Sequence, residues 1–591
     1  MLIPEVSGPR QGSGMHYKSL FPDLPKVPES NVHHLLFSRP DQKEWPDYTL
    51  FVNVATGRRC SFREFVERVR DGATALGADV AHGGLGLRPE DGEFVGILSE
   101  NCPDYIALMH SLLVITVPFA LFSSYSTSYE LKHANSLARA TRIFASPSLL
   151  PLALTAGLPA DRIYLLEGDN KGHTSYDQLV SSVRKNNIPR VPVRHATKDT
   201  LAYLIYSSGT SAIMISHQNI TCATLGAMVG GMETAKVRAP PVWNTPNGLE
   251  VTFNILPVYH SLGLCTTAFF NFLKPSTIVM LPKWNIDSFF DSVPKYHITT
   301  IFLVPSLIHQ IVHHPRFKTT DMSSVKAVAS GAAYLPSQLA DQLCAHFQDV
   351  DRVTEGYGMS EFTMTIAMKP TPGLLNGRAK NKPGSVGILV PGVEACIVRP
   401  DGSLAGPNEP GELLVRGGAT ALGYRGNDKA TRETFVDGWV RTGDQIRIDE
   451  DGVLFFEDRT KARPHHPPYA DTLKISGMQV SPAEIENAIR AQPDKLITDV
   501  TVAGVSGGRT SDERIPRAWI VLSPAGVALG KKEVIARLHT WVQGRLSRYK
   551  WLRGGIKIVE TIPKTPTGKV LRRVLVEEHE QGVKAQAQAK L

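Results

Sequence analysis

Cysteine is scarce and carries no pattern. Cys60, Cys102, Cys222, Cys265, Cys344 and Cys396 are scattered without a Cys-x-x-Cys pair, which argues against a zinc site and for a reducing compartment. Dense Lys/Arg blocks are missing as well. The net charge of +8 is spread over 591 residues, so nucleic acid is not an expected partner, whereas anionic small molecules such as nucleotides are compatible with it. Long unbroken apolar runs are absent. The longest apolar region, Tyr105 to Phe122, carries His110 and is interrupted by Pro118, and it reads as a buried helix followed by a strand rather than a membrane span. The first residues, MLIPEVSGPRQGSG, lack a signal-peptide core, and residues 1–14 read as an unstructured leader. No internal repeat stands out. What remains, 42% hydrophobic and 20% charged residues, is the make-up of a globular protein, and 591 residues are too many for one core, so two or more domains are expected.

From Thr49 to about Pro192, strand-like and helix-like segments alternate. Glu93–Leu98, Thr141–Ala145 and Asp161–Leu166 read as strands, and a helical pattern starts at Asn101-Cys102-Pro103 and runs through Ile106, Met109 and Leu113. The texture recurs with Val251–Leu256, Ser276–Leu281 and Thr299–Val304, and such alternation predicts a mainly parallel sheet with helices on both faces. From Gly384 short strands follow one another (Val393–Val398, Gly411–Arg416, Val453–Phe456), predicting a β-rich subdomain. Ala462–Ala470, ARPHHPPYA, reads as a linker. Beyond it the pattern predicts a small α+β domain. Ser481-Pro482-Ala483-Glu484 has the form of a capping box, Thr498–Val505 and Arg517–Leu522 alternate as strands, and Val534, Leu538, Trp541 and Val542 form a helical stripe. The expected division is a leader over 1–14, a large lobe over 15–458, a hinge over 459–476, a small domain over 477–580 and a frayed polar tail over 581–591.

Five stretches carry chemistry. Leu201–Ile205 is an apolar run entering Ser207-Ser208-Gly209-Thr210-Ser211, and a second apolar run leads to His217. Exposed N–H groups and hydroxyls in such a turn can wrap phosphate oxygens, and Gly lets the backbone come close, although Ser/Gly turns by themselves are ordinary. Tyr259-His260 lies just past a strand, where ligands bind in open parallel sheets. Ser330-Gly331-Ala332-Ala333 is a small-residue turn on which a flat ring can lie. Gly356-Tyr357-Gly358-Met359-Ser360-Glu361 offers an aromatic face for a base, a hydroxyl for phosphate and a carboxylate for a hard cation such as Mg²⁺. Gly438–Asp444 and Glu457-Asp458-Arg459 bracket a hairpin whose Asp can accept hydrogen bonds from both ribose hydroxyls. Read singly, each is a turn or a solvated loop.

Together, in this order and spacing, with SGMQVSPAEIE and Ile562-Pro563-Lys564-Thr565-Pro566-Thr567-Gly568-Lys569, these stretches resemble the adenylate-forming (AMP-binding) superfamily. The likeness is to 4-coumarate–CoA ligase-like enzymes of fungi and plants and covers roughly Lys18 to Arg573. The resemblance implies an acid–CoA ligase with a large α/β lobe and a small mobile α+β C-terminal domain. It uses ATP, Mg²⁺ and CoA, forms an acyl-adenylate with release of pyrophosphate, and passes the acyl group to the CoA thiol after the small domain rotates.

By the same resemblance, Ser207, Ser208, Gly209 and Thr210 hold phosphates, with Thr210 also near the metal. Gly331, Ala332 and Tyr357 form the adenine site, and Gly358 is a further nucleotide-binding residue. Ser360 meets the α-phosphate, Glu361 the Mg²⁺, and Asp444 and Arg459 the ribose. His260, Tyr259, Val304 and Ala333 border the acyl site. Lys461 matches the hinge, and Lys474, Ser476, Gly477 and Gln479 match the segment that meets nucleotide or CoA. Lys569 bridges the substrate carboxylate and the α-phosphate, and with His260 and Glu361 it makes up the catalytic set.

Two departures from the family stand out. The family loop runs Ser-Gly-Thr-Thr-Gly-x-Pro-Lys-Gly, but here Gly209-Thr210-Ser211 is followed at once by Ala212–His217, so about four residues and the loop Lys are missing. The hinge is longer than usual by about nine residues around ARPHHPPYA, and Ser476 stands where the family has Lys or Arg. The short loop supports an alternative reading, a catalytically weak or dead member that binds nucleotide or acyl ligand without turnover. Oxidative chemistry on the adenylate, as in luciferases, is a third. Ala589-Lys590-Leu591 resembles the C-terminal Ser-Lys-Leu address, which implies a peroxisomal import receptor as partner and a peroxisomal location. An aryl or medium-chain acid, serving secondary metabolism, fits the resemblance, and no thiolation-domain motif is present.

Overall fold

The computed structural model describes residues 15–26, 29–169, 172–207, 211–333, 335–347, 349–350, 352–459, 473–475, 478–507, 514–563 and 570–588. The expected leader, the linker and the last three residues lie outside these. The chain divides into two compact units, one of residues 1–124, 135–206 and 212–459, the other of residues 125–134, 207–211 and 460–591.

The first unit is built on two sheets. In one, strands Val95–Leu98, Phe119–Phe122, Arg142–Ala145 and Ile163–Leu165 run parallel and are buried along nearly their whole length. The apolar region singled out in the sequence divides as expected into helix Pro103–Val114, with Pro at its first position, and strand Phe119–Phe122. In the second sheet, Thr49–Asn53, Ser276–Met280, Glu250–Asn254, Thr300–Leu303, Ala327–Ser330 and Thr354–Gly358 lie parallel in that spatial order. At Thr354–Gly358 the pairing changes: its other neighbour, Thr365–Met368, is antiparallel, and so are the strands beyond it, through Gly387–Leu389, Val453–Arg459, Trp439–Ile448 and Gly411–Arg416. The β-rich texture after Gly384 is this antiparallel half.

A cluster of buried and half-buried rings stabilises the first unit. Phe37, Phe65 and Phe272 surround His110, and Phe65 stacks on Phe272 at 5.5 Å. The histidines in and beside it have assignable tautomers. The His110 Nε2 donates to the Ala268 carbonyl at 2.8 Å, so its Nδ1 accepts from the His33 Nδ1 at 3.3 Å. The His217 Nδ1 accepts from the Val32 amide at 3.2 Å, which requires a neutral ring. Burial pushes His110 down to about 4 and His217 to about 3, and holds His33 well below its usual value. Because the folded values lie below the unfolded one, the unfolded chain binds more protons in acid, and stability present above pH 6.5 is lost as the pH falls. His110 alone should account for a loss on the order of 3 kcal/mol between its unfolded value and about 4. Urea midpoints followed against pH are expected to fall over that window, and His110→Gln, which retains a donor for Ala268, is expected to flatten the slope by about one proton.

In the second unit, strands Ile497–Ser506 and Arg514–Leu522 pair antiparallel, and Ile556–Ile558 joins the latter in parallel. Helices Pro482–Arg490 and Lys531–Arg545 place Ile485, Ile489, Val534, Leu538 and Val542 in the core, whereas Trp541 of the expected stripe is half-buried and donates its Nε1–H to the Ala488 carbonyl at 2.7 Å. The capping box is not. Ser481 makes no side-chain cap, and the Glu484 carboxylate accepts instead from the buried Lys550 ammonium at 2.7 Å, which also meets Glu130 at 2.7 Å. A buried ammonium outcompetes one backbone N–H for a carboxylate. The tail expectation also fails in part, because helix Arg572–Gln588 runs through most of residues 581–591.

Candidate functional site

The parallel register brings three predicted stretches into one row. Leu303 pairs with Ser330, and Ser330 with Glu355, so Val304, Gly331 and Gly356 follow one another across the C-terminal ends of adjacent strands. In open sheets of this kind that edge is where ligands sit. A Cβ on Gly331 would lie 3.3 Å from the Gly356 carbonyl oxygen and 3.7 Å from Leu262, so a larger residue would thicken the shelf. Ala332 follows with φ of +68°, a left-handed conformation that costs a non-glycine residue about 1 kcal/mol or more and is held by its surroundings. Val304 is buried and heads helix Pro305–Val312, and Ala333 is half-buried.

Beside this row, the chain leaves Glu250–Asn254 and turns through Pro257–His260, closed by the His260 amide on the Pro257 carbonyl at 3.1 Å. Tyr259 is buried, and the half-buried His260 stands at the start of helix Ser261–Ala268. Gly263 is required there, because a Cβ would come within 2.3 Å of the Pro257 oxygen. The first helical residue, Ser261, meets Ser360 hydroxyl to hydroxyl at 2.8 Å in a buried contact. One turn on, burial pushes the Cys265 thiol up to about 12, which removes it as a nucleophile at neutral pH.

The GYGMSE stretch ends strand Thr354–Gly358 and forms the tight turn Ser360–Phe362. Gly358 admits no side chain, since a Cβ would lie 1.7 Å from the Met364 oxygen. Glu361 is buried, and its Oε1 accepts from the Tyr424 hydroxyl at 2.9 Å. Tyr357 donates its hydroxyl to Asp444 Oδ2 at 2.7 Å, and the Asp444 amide donates to Thr442 Oγ1 at 3.1 Å. Asp444 stands opposite Arg459 in the antiparallel pair Trp439–Ile448 and Val453–Arg459, the hairpin expected from the sequence. The structure therefore gathers Tyr357 with Asp444, Gly331 with the GYGMSE strand, and Ser360 and Glu361 on one turn.

Other predicted residues are placed only by backbone or not at all. Ser207 ends strand Leu201–Ser207, Arg459 ends its strand, and Lys474 and Gln479 face one another in the pair Leu473–Ile475 and Met478–Val480. Ser208, Gly209, Thr210, Lys461, Ser476, Gly477 and Lys569 lie outside the described residues.

The arrangement suits an anionic ligand with a flat base. It has a glycine shelf beside an aromatic ring, a buried hydroxyl pair and two buried carboxylates, Asp444 and Glu361. Among the described residues no group of three or more His, Cys, Asp or Glu is positioned as a metal cage. One carboxylate still fits Mg²⁺, which is held by one or two carboxylates together with substrate phosphates. Two members of the set, Ser261 and Tyr424, were not expected from the sequence. Ser261 adjoins the predicted His260, but its partner lies 99 positions away, and Tyr424 lies 63 positions from Glu361, so neither pairing has a local signal.

Two family models match the chain, AMP-binding enzyme over residues 39–425 and AMP-binding enzyme C-terminal domain over residues 484–569. The chain is 29% identical over 555 residues to an acyl-CoA ligase, AFT1-1, of Alternaria alternata, covering 90% of each chain. It is 28% identical over 586 residues to a probable 4-coumarate–CoA ligase 2 of Dictyostelium discoideum, covering 95% of this chain and 97% of the relative. In fold it is similar to an o-succinylbenzoate CoA synthetase of Bacillus subtilis, with a TM-score of 0.69 at 19% identity over 92% of this chain and 97% of the other.

Proposed function

The chain belongs to the AMP-binding enzyme family, and from that membership we propose that it is an ATP-dependent acid–CoA ligase acting on an aryl or medium-chain carboxylic acid, in secondary metabolism. The observation that carries the reading is the gathering of Tyr357–Asp444, Ser360–Ser261 and Glu361–Tyr424 around the C-terminal edge of one parallel sheet. In the first step a carboxylate oxygen attacks the α-phosphorus of ATP, a P–O bond forms to give acyl-AMP, and the α–β phosphoanhydride breaks to release pyrophosphate. In the second, the CoA thiol loses its proton, its sulfur bonds to the acyl carbon, and AMP leaves.

The residues present fit these steps. The Gly331–Ala332 shelf and the Tyr357 ring accept the adenine, Asp444 accepts from the ribose hydroxyls with Arg459 opposite, and Ser360 donates toward the α-phosphate. Glu361 would hold the Mg²⁺, which when bound would draw charge from the phosphate oxygens. Tyr259, His260, Val304 and Ala333 would border the acyl group, and by the family resemblance Lys569, outside the described residues, would join carboxylate and phosphate. The work is mostly positioning and electrostatics on a crowded anionic centre. A hydroxamate trap with ATP, Mg²⁺ and a panel of aryl and medium-chain acids tests it: hydroxamate with at least one of them is expected, and adenylate with none would favour the second reading, a ligand-binding member without turnover. The sequence itself favours that second reading, because only Ser208, Gly209 and Thr210, outside the described residues, separate strands Leu201–Ser207 and Ser211–Ser216, and the family's loop Lys is absent.

Among the described residues no helix is long and apolar enough to cross a membrane. Ala589-Lys590-Leu591, outside the described residues, reads as the address of a peroxisomal import receptor. A fluorescent reporter carrying the last ten residues of the chain is expected to enter peroxisomes, and a cytosolic reporter would remove that part of the proposal.

A further inference from the structure

We propose that Tyr424 is a positioning residue for the first step, fixing the Glu361 carboxylate so that it meets the Mg²⁺ that accompanies ATP. This rests on the reading of Glu361 as the metal-holding residue. Tyr424 is itself tightly fixed. Its strand, Gly423–Tyr424, pairs antiparallel with Met214 and Ile213, and the flanking amides of Leu422 and Arg425 donate to Met214 and Ala212 at 2.9 and 2.8 Å. Gly423 makes the close approach possible, with φ of +130° and a Cβ position only 2.6 Å from Thr431. The Tyr424 amide donates to Thr431 Oγ1 at 3.0 Å, and its ring meets Phe435 edge-on at 5.6 Å.

The other end of the contact is anchored through the same segment. The Ala421 amide donates to the Glu361 carbonyl at 3.0 Å, and the Thr363 hydroxyl donates to the Ala419 carbonyl at 2.7 Å. The phenol and the carboxylate therefore face each other across a braced gap, buried to 4% and 9% exposure. A phenol donates a hydrogen bond without bringing a charge, so the carboxylate it orients keeps its own charge for a cation. Without that bond the Glu361 carboxylate would be less firmly oriented when the metal binds, which weakens the metal rather than the acid.

Tyr424→Phe removes the hydroxyl and leaves the ring against Phe435. Mn²⁺ binding, read by electron paramagnetic resonance in the presence of α,β-methylene-ATP, is expected to weaken about 10-fold, within the range seen when a ligand's orienting partner is lost. The Mg²⁺ concentration for half-maximal adenylate formation should rise by a similar factor while KM for the acid and the thermal midpoint stay close to those of the parent. Unchanged Mn²⁺ affinity, or a loss of acid and metal binding together with a lowered thermal midpoint, would overturn the proposal. Glu361→Gln separates the two layers. If it leaves Mn²⁺ binding intact, the metal reading of Glu361 fails; if it abolishes binding while Tyr424→Phe does not weaken it, only the role of Tyr424 fails.

Discussion

Lys569→Ala is expected to lower the rate of acyl-AMP formation by at least about 100-fold, the scale on which removal of one preorganised transition-state contact is felt. Two anionic groups, the acid's carboxylate and the α-phosphate, must come within bonding distance, and the repulsion between them is part of the barrier. A single ammonium between them lowers it in the transition state more than in the ground state, where the anions are further apart. The residue lies in Pro563-Lys564-Thr565-Pro566-Thr567-Gly568-Lys569, a segment whose Pro, Thr and Gly content suits a loop that presents one long side chain. Lys569→Arg, with its charge spread over a planar fork, should recover only part of the rate. Single-turnover measurement of acyl-AMP distinguishes this from a folding defect, because transfer from supplied acyl-AMP to CoA should proceed within a few-fold of the parent. A variant that forms acyl-AMP at the parental rate would remove the ammonium from the mechanism.

Much of the frame that positions this chemistry can be read from residue order. Strands such as Val95–Leu98 and Ser276–Met280 are buried throughout, so each appears in the sequence as a short apolar run, and the strands of the parallel sheet are found within two or three residues of their expected ends. The glycines of the site are legible for a similar reason: Gly331 and Gly358 stand where backbone packs on backbone. What sequence order hides is pairing across distance. The Ser481-Pro482-Ala483-Glu484 pattern has the form of a cap, yet Glu484 answers to Lys550, 66 positions away, because burial makes a charged partner worth more than a local amide. Tyr424 is hidden in the same way. A Gly-Tyr pair in a two-residue strand is unremarkable until the strand it joins and the carboxylate it reaches are both in place.

Restoring the family's full phosphate loop, Ser-Gly-Thr-Thr-Gly-x-Pro-Lys-Gly, between strands Leu201–Ser207 and Ser211–Ser216 is expected to raise kcat/KM for ATP in adenylate formation by about 10- to 100-fold. The missing Lys would neutralise the β- and γ-phosphates, which gather negative charge as pyrophosphate departs. A charge-assisted hydrogen bond of this type contributes about 1.5–3 kcal/mol. Lengthening the loop opposes this by well under about 1 kcal/mol, because closure entropy grows only with the logarithm of length. The two contributions can be separated by building the same loop with Ala in place of its Lys. If charge is the cause, the Ala loop stays near the parent and only the Lys loop gains; if reach over the triphosphate is the cause, both gain alike. Should neither loop change kcat/KM for ATP, departure of pyrophosphate is not what limits the first step, and the short loop would then be a neutral variation on the family's phosphate site.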